Sequence, residues 1–210
     1  MVNYKSTQEY KNYRKDGTMK TGEKDGNTGE KAEKNTAKEI LSMVVYIAFV
    51  LLLTFLVVRY VGQRTQVSGD SMRDTLYNED QLIVDKISYR FRDPERFDII
   101  VFPFQYKENT YYIKRIIGLP GETVQILDGD IYINGEVLEE DYGKETMVVS
   151  GRAVNEIQLG EDEYFVLGDN RNRSEDSRFE EVGNIKRSDI IGRAFIRIWP
   201  FSRFGLLKHQ

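Results

Sequence analysis

The sequence predicts a mostly β protein, in which antiparallel β-sheets with a smaller inserted β subdomain follow one transmembrane α-helix and a disordered N-terminal tail. Three observations predict this fold class. The first 39 residues are mainly polar, and a single run of 19 uncharged residues follows them. The remaining chain then alternates short apolar runs with turn residues.

The N-terminal tail, residues 1–39, is rich in Lys, Glu, Gly, Asn and Thr and shows no apolar periodicity. After Val2, Met19 is its only aliphatic residue larger than alanine. Such a segment cannot bury enough apolar surface to offset the entropy of ordering the chain. We therefore expect the tail to be disordered.

The apolar run, residues 40–58, predicts a transmembrane helix over residues 40–61. At a rise of ~1.5 Å per residue the run reaches about 29 Å, close to a hydrocarbon core of ~30 Å. A cleaved signal peptide is one alternative, but 39 residues precede the run and residues 59–64 offer no small-x-small cleavage site. A buried globular helix is the other, but 19 uncharged residues need a larger protein around them.

Charges on either side of the apolar run predict its orientation. Lys31, Lys34 and Lys38 precede the run, and Arg59 and Arg64 follow it. Because positive residues favour the cytoplasmic side, this bias places the tail in the cytoplasm. The rest of the chain, residues 62–210, is then expected on the extracytoplasmic face.

Beyond the apolar run, stretches rich in β-branched and aromatic residues predict short antiparallel strands. The predicted strands cover residues 81–87, 97–102, 110–117, 124–127, 130–133, 164–167 and 190–199. Asp128-Gly129 and Asn134-Gly135 predict tight hairpin turns, because both pairs tolerate positive φ. No long stretch after the apolar run has convincing helical periodicity.

The residue inventory restricts the chemistry available to the chain. The only histidine is His209, second from the end, and there is no cysteine. Ser-His-Asp and Cys-His catalytic sites, disulfides and thiolate zinc sites are therefore disfavoured. A net charge of −4 also argues against nucleic-acid binding. If the chain performs covalent hydrolysis, a lysine is the natural base.

Ser71 and Lys114 are the candidate pair for that chemistry. On a strand, Lys114 shares its face with Tyr112 and Ile116, so its amine is expected to be partly desolvated. Desolvation lowers the pKa of a lysine and lets the neutral amine accept a serine proton. The alternative is that Lys114 is an ordinary surface lysine on a half-exposed strand. The polar segment 168–178, judged by its composition alone, favours a solvated surface loop.

Four segments occur in order behind the apolar run: SGDSMRDTL, RFDIIVF, YIKRIIGLPGE and GDNRNRSEDSR. Together they resemble the bacterial type I signal peptidases, membrane-bound Ser-Lys proteases that remove signal peptides from exported proteins. The resemblance covers residues 40–198. It implies a peptidase domain over residues 62–210 with an inserted β subdomain at about 119–163.

The resemblance also implies roles for individual residues. Ser71 matches the acylating nucleophile and Lys114 its general base, while Ser174 matches the hydroxyl that orients the lysine amine. The matching supports of the active site are Asp169, Arg115, Asp176 and Arg178. The oxyanion region comprises the Ser71 backbone N–H and Gly69, which stands where some family members have a serine. The residues that match the lining of the substrate pockets are Val67, Met72, Leu76 and Ile113.

Other positions depart from the family pattern. Asp74 stands where proline is usual, Phe97 where glycine is usual and Arg173 where asparagine is common. None of these departures removes a proposed catalytic group, but they affect the local loop shape and with it the substrate preference.

By resemblance, the partners are secretory preproteins and the lipid bilayer of the bacterial cell membrane, and no metal or organic cofactor is needed. Two alternatives have weight. A self-cleaving Ser-Lys regulator would be expected to carry a DNA-binding helical domain, against which the first 58 residues argue. A non-catalytic, membrane-anchored β domain would bind exported chains, with Ser71 and Lys114 incidental. Activity assays separate these readings.

Overall fold

The structure is a computed structural model that describes residues 27–60, 62–143 and 145–207. Its first element is helix α1, Asn27–Tyr60. Within it the segment Lys38–Leu56, with a mean hydropathy of 2.4, is long and apolar enough to cross a membrane. It is the one such helix in the described part of the chain.

The beginning of α1 lies inside the predicted tail. The helix starts at Asn27, so it includes residues 27–39 of the segment that was predicted to be disordered. These residues include several Lys, Glu and Ala, which have high helix propensity, and extending an existing helix is easier than nucleating one. Residues 1–26, the remainder of the predicted tail, lie outside the described residues.

The strands in the rest of the described chain form two antiparallel sheets, which confirms the predicted fold class. The larger sheet has eight strands. In spatial order they are β1 (Gly62–Gln66), β2 (Gln81–Asp85), β11 (Gly192–Trp199), β3 (Ile99–Pro103), β4 (Tyr111–Gly118), β9 (Glu163–Leu167) and β10 (Ile185–Lys186), with β12 (Gly205–Leu206) paired to β11. β1 was not predicted, because its sequence GQRTQ is polar and lies at the sheet edge.

The smaller sheet lies between β4 and β9 in the sequence. It contains β7 (Glu136–Val137), β6 (Asp130–Ile133), β5 (Thr123–Leu127) and β8 (Ile157–Gln158), in that spatial order. Both predicted hairpins are present, and Asp128, Gly129, Asn134 and Gly135 all have positive φ, as a type I′ turn requires. This sheet is therefore the predicted insertion.

Strands β3 and β4 lie at the centre of the larger sheet with both faces covered. On β3, Ile99 packs into one apolar cluster, while Ile100 and Phe102 pack into another on the opposite face. Burial on both faces explains why the β3 sequence is a continuous apolar run, without the alternation of a half-exposed strand. The charged side chains of Lys114 and Arg115, on the buried part of β4, are consequently drawn out of water.

Candidate active site

Ser71 lies in a tight turn between β1 and β2. The backbone N–H groups of Thr75 and Leu76 both donate to the Met72 carbonyl, at 3.1 and 2.7 Å. Met72 and Leu76 are fully buried, so they fix the turn to the core and leave Ser71 at its exposed side. A serine held in this way can present its hydroxyl to a neighbouring group without a change in the backbone.

Lys114 projects from β4 toward that turn. Its Nζ lies 2.9 Å from Ser71 Oγ and 3.2 Å from the Ile113 carbonyl oxygen, and 4.8 Å from the centre of the Tyr112 ring. The side chain is buried, at 3% exposure. The burial of Lys114 beside Tyr112 agrees with the predicted desolvation, and Nζ and Ser71 Oγ lie within the distance that a base needs from its nucleophile.

Burial sets the proton affinity of this amine. It lowers the pKa of Lys114 from its usual 10.5 to about 8, and the carboxylates of Asp176, Glu175 and Asp169 partly oppose that shift by favouring the ammonium. A substantial fraction of the amine is therefore neutral near physiological pH. In that form it can accept the Ser71 proton.

Arg115, the next residue on β4, points to the opposite face. Its guanidinium makes a bidentate pair with Asp169, at 2.8 and 2.6 Å, and donates to the Phe97 carbonyl at 2.9 Å. The Thr75 hydroxyl donates to the same Asp169 carboxylate at 2.5 Å. These contacts join the Ser71 turn, β4 and the loop after β9 into one unit.

A second buried pair, Asp176 with Arg178, holds the loop that follows β9. Arg178 donates from Nε and Nη2 to the two Asp176 oxygens, at 2.8 and 2.9 Å. Asp176 also accepts from the Gly168 N–H at 3.1 Å, and Arg178 donates to the Val149 carbonyl at 2.8 Å. The loop is thus fixed by charge-assisted bonds on both sides, which contradicts the solvated-loop reading.

The structure corrects the contact expected of Ser174. Its side chain is buried at 8% exposure and lines the same cavity as Ser71, but the bond to the Lys114 amine is not present. Within the described residues Ser174 Oγ has no hydrogen-bond partner. The hydrogen bonds that the structure gives the Lys114 amine are to Ser71 Oγ and the Ile113 carbonyl.

Ser71 and Lys114 open onto a cavity of about 850 Å³, which we call the Ser71 cavity. Three of the four predicted substrate-pocket residues line it, namely Val67, Met72 and Ile113. The fourth expectation is wrong: Leu76 is fully buried and packs in a core cluster with Leu82 and Ile99.

The expected oxyanion region is only partly available. The Gly69 N–H donates to the Asn78 side chain at 3.0 Å, so this donor is already engaged. Gly69 has φ +96°, a conformation that favours glycine. The Ser71 N–H makes no hydrogen bond within the described residues, and it remains the predicted donor.

Two supporting residues were missed by the sequence analysis. Asn170 fastens the Ser71 turn, since its side chain donates to the Asp70 carbonyl and its backbone N–H to the Ser71 carbonyl, both at 3.0 Å. At Gly168 any Cβ would collide with Ser174 Oγ and the Ser71 carbonyl. Both residues lie in the GDNRNRSEDSR segment, whose resemblance to the family was the sequence signal that could have identified them.

The departures from the family pattern have local structural counterparts. Phe97, at the usual glycine position, has φ +71°, which explains why glycine suits that position. Its ring lies 5.3 Å from that of Tyr142, which also stacks on the Arg115 guanidinium. Asp74, at the usual proline position, has φ +85°, a value that the proline ring forbids. Arg173 is exposed and lines the Ser71 cavity.

The chain is similar in sequence to several known proteins. A family model described as signal peptidase, peptidase S26, matches residues 40–199. A probable signal peptidase I-2 of Synechocystis sp. is 42% identical over 153 residues, which cover 70% of this chain and 68% of that protein. Signal peptidase I P of Bacillus subtilis subsp. natto is 34% identical over 184 residues, covering 84% and 98%. A crystal structure of a signal peptidase I from Enterococcus faecalis V583 is 38% identical, covers 49% of this chain and 97% of that one, and gives a TM-score of 0.40.

Proposed function

The chain belongs to the S26 family of signal peptidases, and we propose that it cleaves preproteins with Ser71 as the nucleophile and Lys114 as the general base. As a member of this family it is a serine endopeptidase that removes signal peptides. The observation that carries the proposed residues is the 2.9 Å separation of Lys114 Nζ from Ser71 Oγ, at a buried amine.

The proposed mechanism has two stages. Lys114 takes the Ser71 proton as Ser71 Oγ attacks the scissile carbonyl, and the Ser71 N–H stabilises the oxyanion that forms. The protonated Lys114 then gives its proton to the leaving amine, which departs as the N-terminus of the mature protein. In the second stage neutral Lys114 activates a water molecule, which hydrolyses the ester of Ser71 and the signal peptide.

An open strand edge supports binding of an extended substrate. Within the described residues β9 pairs with β4 only over Arg115–Gly118, so the first half of β4 has β3 on one side and no strand on the other. The Ile116 N–H donates toward β3, to Asp98, and strand alternation therefore directs the backbone groups of Tyr111 and Ile113 to the open side. We propose that the substrate adds a strand there.

The walls of the Ser71 cavity favour small substrate side chains. Val67 and Met72 are buried, and Ile113 is half-buried against the same apolar cluster. We propose that these side chains line shallow apolar recesses beside Ser71. We propose cleavage after a small-x-small sequence, because larger side chains would need to displace packed core residues.

We propose that α1 anchors the enzyme in the bacterial cell membrane, with the N-terminal tail in the cytoplasm and residues 62–210 on the extracytoplasmic face. The apolar segment Lys38–Leu56 supports the anchor by its length and hydropathy. Anchoring the enzyme in the bilayer that holds the signal helix raises its effective concentration. Protease added to intact spheroplasts should degrade residues 62–210; their protection would reverse the orientation.

We propose that residues 62–210 form the peptidase domain and that its inserted subdomain, about 119–163, supports the site. The contact that favours this role is Tyr142, whose ring centre lies 3.5 Å from the Arg115 guanidinium carbon. A buried pair between Glu140 and Arg171 adds a second link. The subdomain thereby reaches the residues behind the Ser71 turn.

Cleavage of a preprotein tests the proposed residues directly. The full-length protein in detergent should cut an Ala-x-Ala preprotein at one bond, which mass spectrometry of the two products identifies. Ser71→Ala and Lys114→Ala should each lose activity by about 1,000-fold or more. Ser68→Ala, a change at another serine of the same cavity, is the matched control and should retain activity.

Two results would contradict the proposal. Equal cleavage by wild type and Ser71→Ala would exclude Ser71 as the nucleophile. Binding of the preprotein without cleavage by the wild type would favour the alternative of a non-catalytic binding domain.

A further inference from the structure

Glu175 is a carboxylate near Lys114 that is bonded to an aromatic side chain. The Tyr112 hydroxyl donates to Glu175 Oε2 at 2.8 Å, and the same Tyr112 ring covers the Lys114 amine at 4.8 Å. On its other side the ring stacks on Phe104, with centres 4.6 Å apart and planes within 7°. Tyr112 is therefore held by Phe104 at its ring and by Glu175 at its hydroxyl.

Glu175 also carries the least compensated negative charge near Lys114. Three carboxylates favour the ammonium form of Lys114, those of Asp176, Glu175 and Asp169. Asp176 is paired with an arginine, as is Asp169. Glu175 is exposed and makes no ion pair in the part of the chain that the structure describes. The other charged groups that line the Ser71 cavity are Asp70, Lys107 and Arg173.

We propose that Glu175 is a positioning residue: bonded to Tyr112, it fixes the aromatic cover over Lys114, and its charge sets how readily that amine gives up its proton. This inference rests on the proposed role of Lys114 as general base. Glu175 touches neither Ser71 nor the reacting atoms, so it acts through Tyr112 and through its electric field.

The hydroxyl of Tyr112 is suited to this role. Burial is the main cause, and the hydrogen bond to Glu175 the second, that raises the pKa of Tyr112 to about 12. The hydroxyl therefore keeps its proton at any working pH. Glu175 as a carboxylate is only an acceptor, which fixes the direction of the bond. Replacing Glu175 by glutamine keeps an acceptor oxygen for Tyr112 but removes the charge.

The expected effect of Glu175→Gln is a shift of the pH profile to lower pH. Without the negative charge the ammonium of Lys114 is less stable, and we expect the midpoint of kcat/KM to fall by about half a pH unit. That shift raises the neutral fraction of Lys114 at pH 7 by roughly 2- to 3-fold, and activity with it. In 1 M salt, where the screening length is ~3 Å, the shift should shrink because Glu175 is exposed.

Tyr112→Phe separates the two parts of the proposal. It keeps the ring over Lys114 but releases Glu175, so the midpoint should move in the same direction by a smaller amount. In the double variant the shift should equal that of Glu175→Gln alone, because both changes act through one contact. Glu180→Gln, at an exposed carboxylate that does not line the Ser71 cavity, is the matched control and should leave the midpoint unchanged.

A measurement that does not require activity keeps this inference separate from the proposed function. The Lys114 amine is titrated by NMR in the full-length protein with isotope-labelled lysine, with Lys114→Met used to assign its signal. A lower midpoint in Glu175→Gln supports the inference even if Ser71 proves not to be the nucleophile. An unchanged midpoint, or an equal shift in Glu180→Gln, would overturn it.

Discussion

The two faces of β4 hold neighbouring cations in opposite ways. Lys114 and Arg115 are both buried, at 3% and 0% exposure. Arg115 is bonded to both oxygens of Asp169, to the Phe97 carbonyl and to Thr75, and Tyr142 stacks on it. Lys114 contacts a hydroxyl, a carbonyl and an aromatic ring, and its described hydrogen bonds include none to a carboxylate.

This contrast shows how one strand combines rigidity with reactivity. A buried arginine whose guanidinium is bonded to a carboxylate and to carbonyl oxygens is stable as a cation. A buried lysine without a paired carboxylate is destabilised as a cation, and its neutral form becomes accessible. The arginine face thus holds the turn that carries Ser71, while the lysine face keeps a base beside it.

The largest expected effect comes from removing the reactive cation. Lys114→Met should reduce kcat/KM by about 1,000-fold or more, because Lys114 Nζ is the one amine within hydrogen-bond distance of Ser71 Oγ in the described structure. Lys114→Arg should be equally inactive, since a guanidinium does not deprotonate. Single-turnover cleavage of a preprotein measures both.

The same Lys114→Met variant should be more stable than the wild type. The pKa of Lys114 in the folded state lies below its usual 10.5, so the folded state disfavours its ammonium form. This penalty is fully present below pH 8, where it is on the order of 3 kcal/mol, and it disappears as the pH rises toward 10.5. Equal unfolding free energies at pH 7 would contradict the contrast between the two faces.

The next effect concerns stability at the other face. Arg115→Met should lower the free energy of unfolding by about 3–5 kcal/mol, because it leaves the buried Asp169 carboxylate without its cation. Denaturant unfolding of the full-length protein in detergent measures the loss. Arg64→Met, at an exposed arginine of β1, is the control and should change stability by less than about 0.5 kcal/mol.

A smaller effect is expected from filling the space beside Ser71. The Cβ in Gly168→Ala would meet the Ser71 carbonyl and Ser174 Oγ, so the Ser71 turn must move. A displacement of about 1 Å from Lys114 can cost ~100-fold in rate, and we expect kcat to fall by roughly 10- to 100-fold. Gly205→Ala, where a Cβ meets nothing within 4 Å, should leave kcat unchanged. An equal loss in both variants would remove the special role of Gly168.

The sequence predicted those structural features that depend on the local pattern of residues. Strand alternation placed Tyr112 and Lys114 on one face, and the structure places the ring against the amine. The Asp-Gly and Asn-Gly turns were predictable because their φ requirement belongs to the residues themselves. Ser71 and Lys114 were a candidate pair from the residue inventory, whereas the membership of Arg115 and Asp169 in the same site came from resemblance.

Other features depend on contacts between distant segments, which local pattern does not encode. Tyr142 reaches Arg115 from the inserted subdomain, and Glu175 reaches Tyr112 across 63 residues. Leu76 was predicted to line the substrate pocket because its motif contains pocket residues, but its side chain is fully buried in a core cluster. The contact of Ser174 was mistaken for a similar reason, since a motif fixes a neighbourhood but not each hydrogen bond.

The smallest expected effect, the pH dependence of the wild type, tests the lysine face without any substitution. If Lys114 must be neutral to accept the Ser71 proton, kcat/KM should rise with pH and level off above its pKa of about 8. The neutral fraction of such an amine increases about fivefold between pH 7 and pH 8, which is the expected gain in rate. Because one amine carries this dependence, the rising limb should show one ionisation. A rate that still increases tenfold per pH unit above pH 9 would mean that Lys114 keeps the proton affinity of an exposed lysine, and the two faces of β4 would then not differ as the structure indicates.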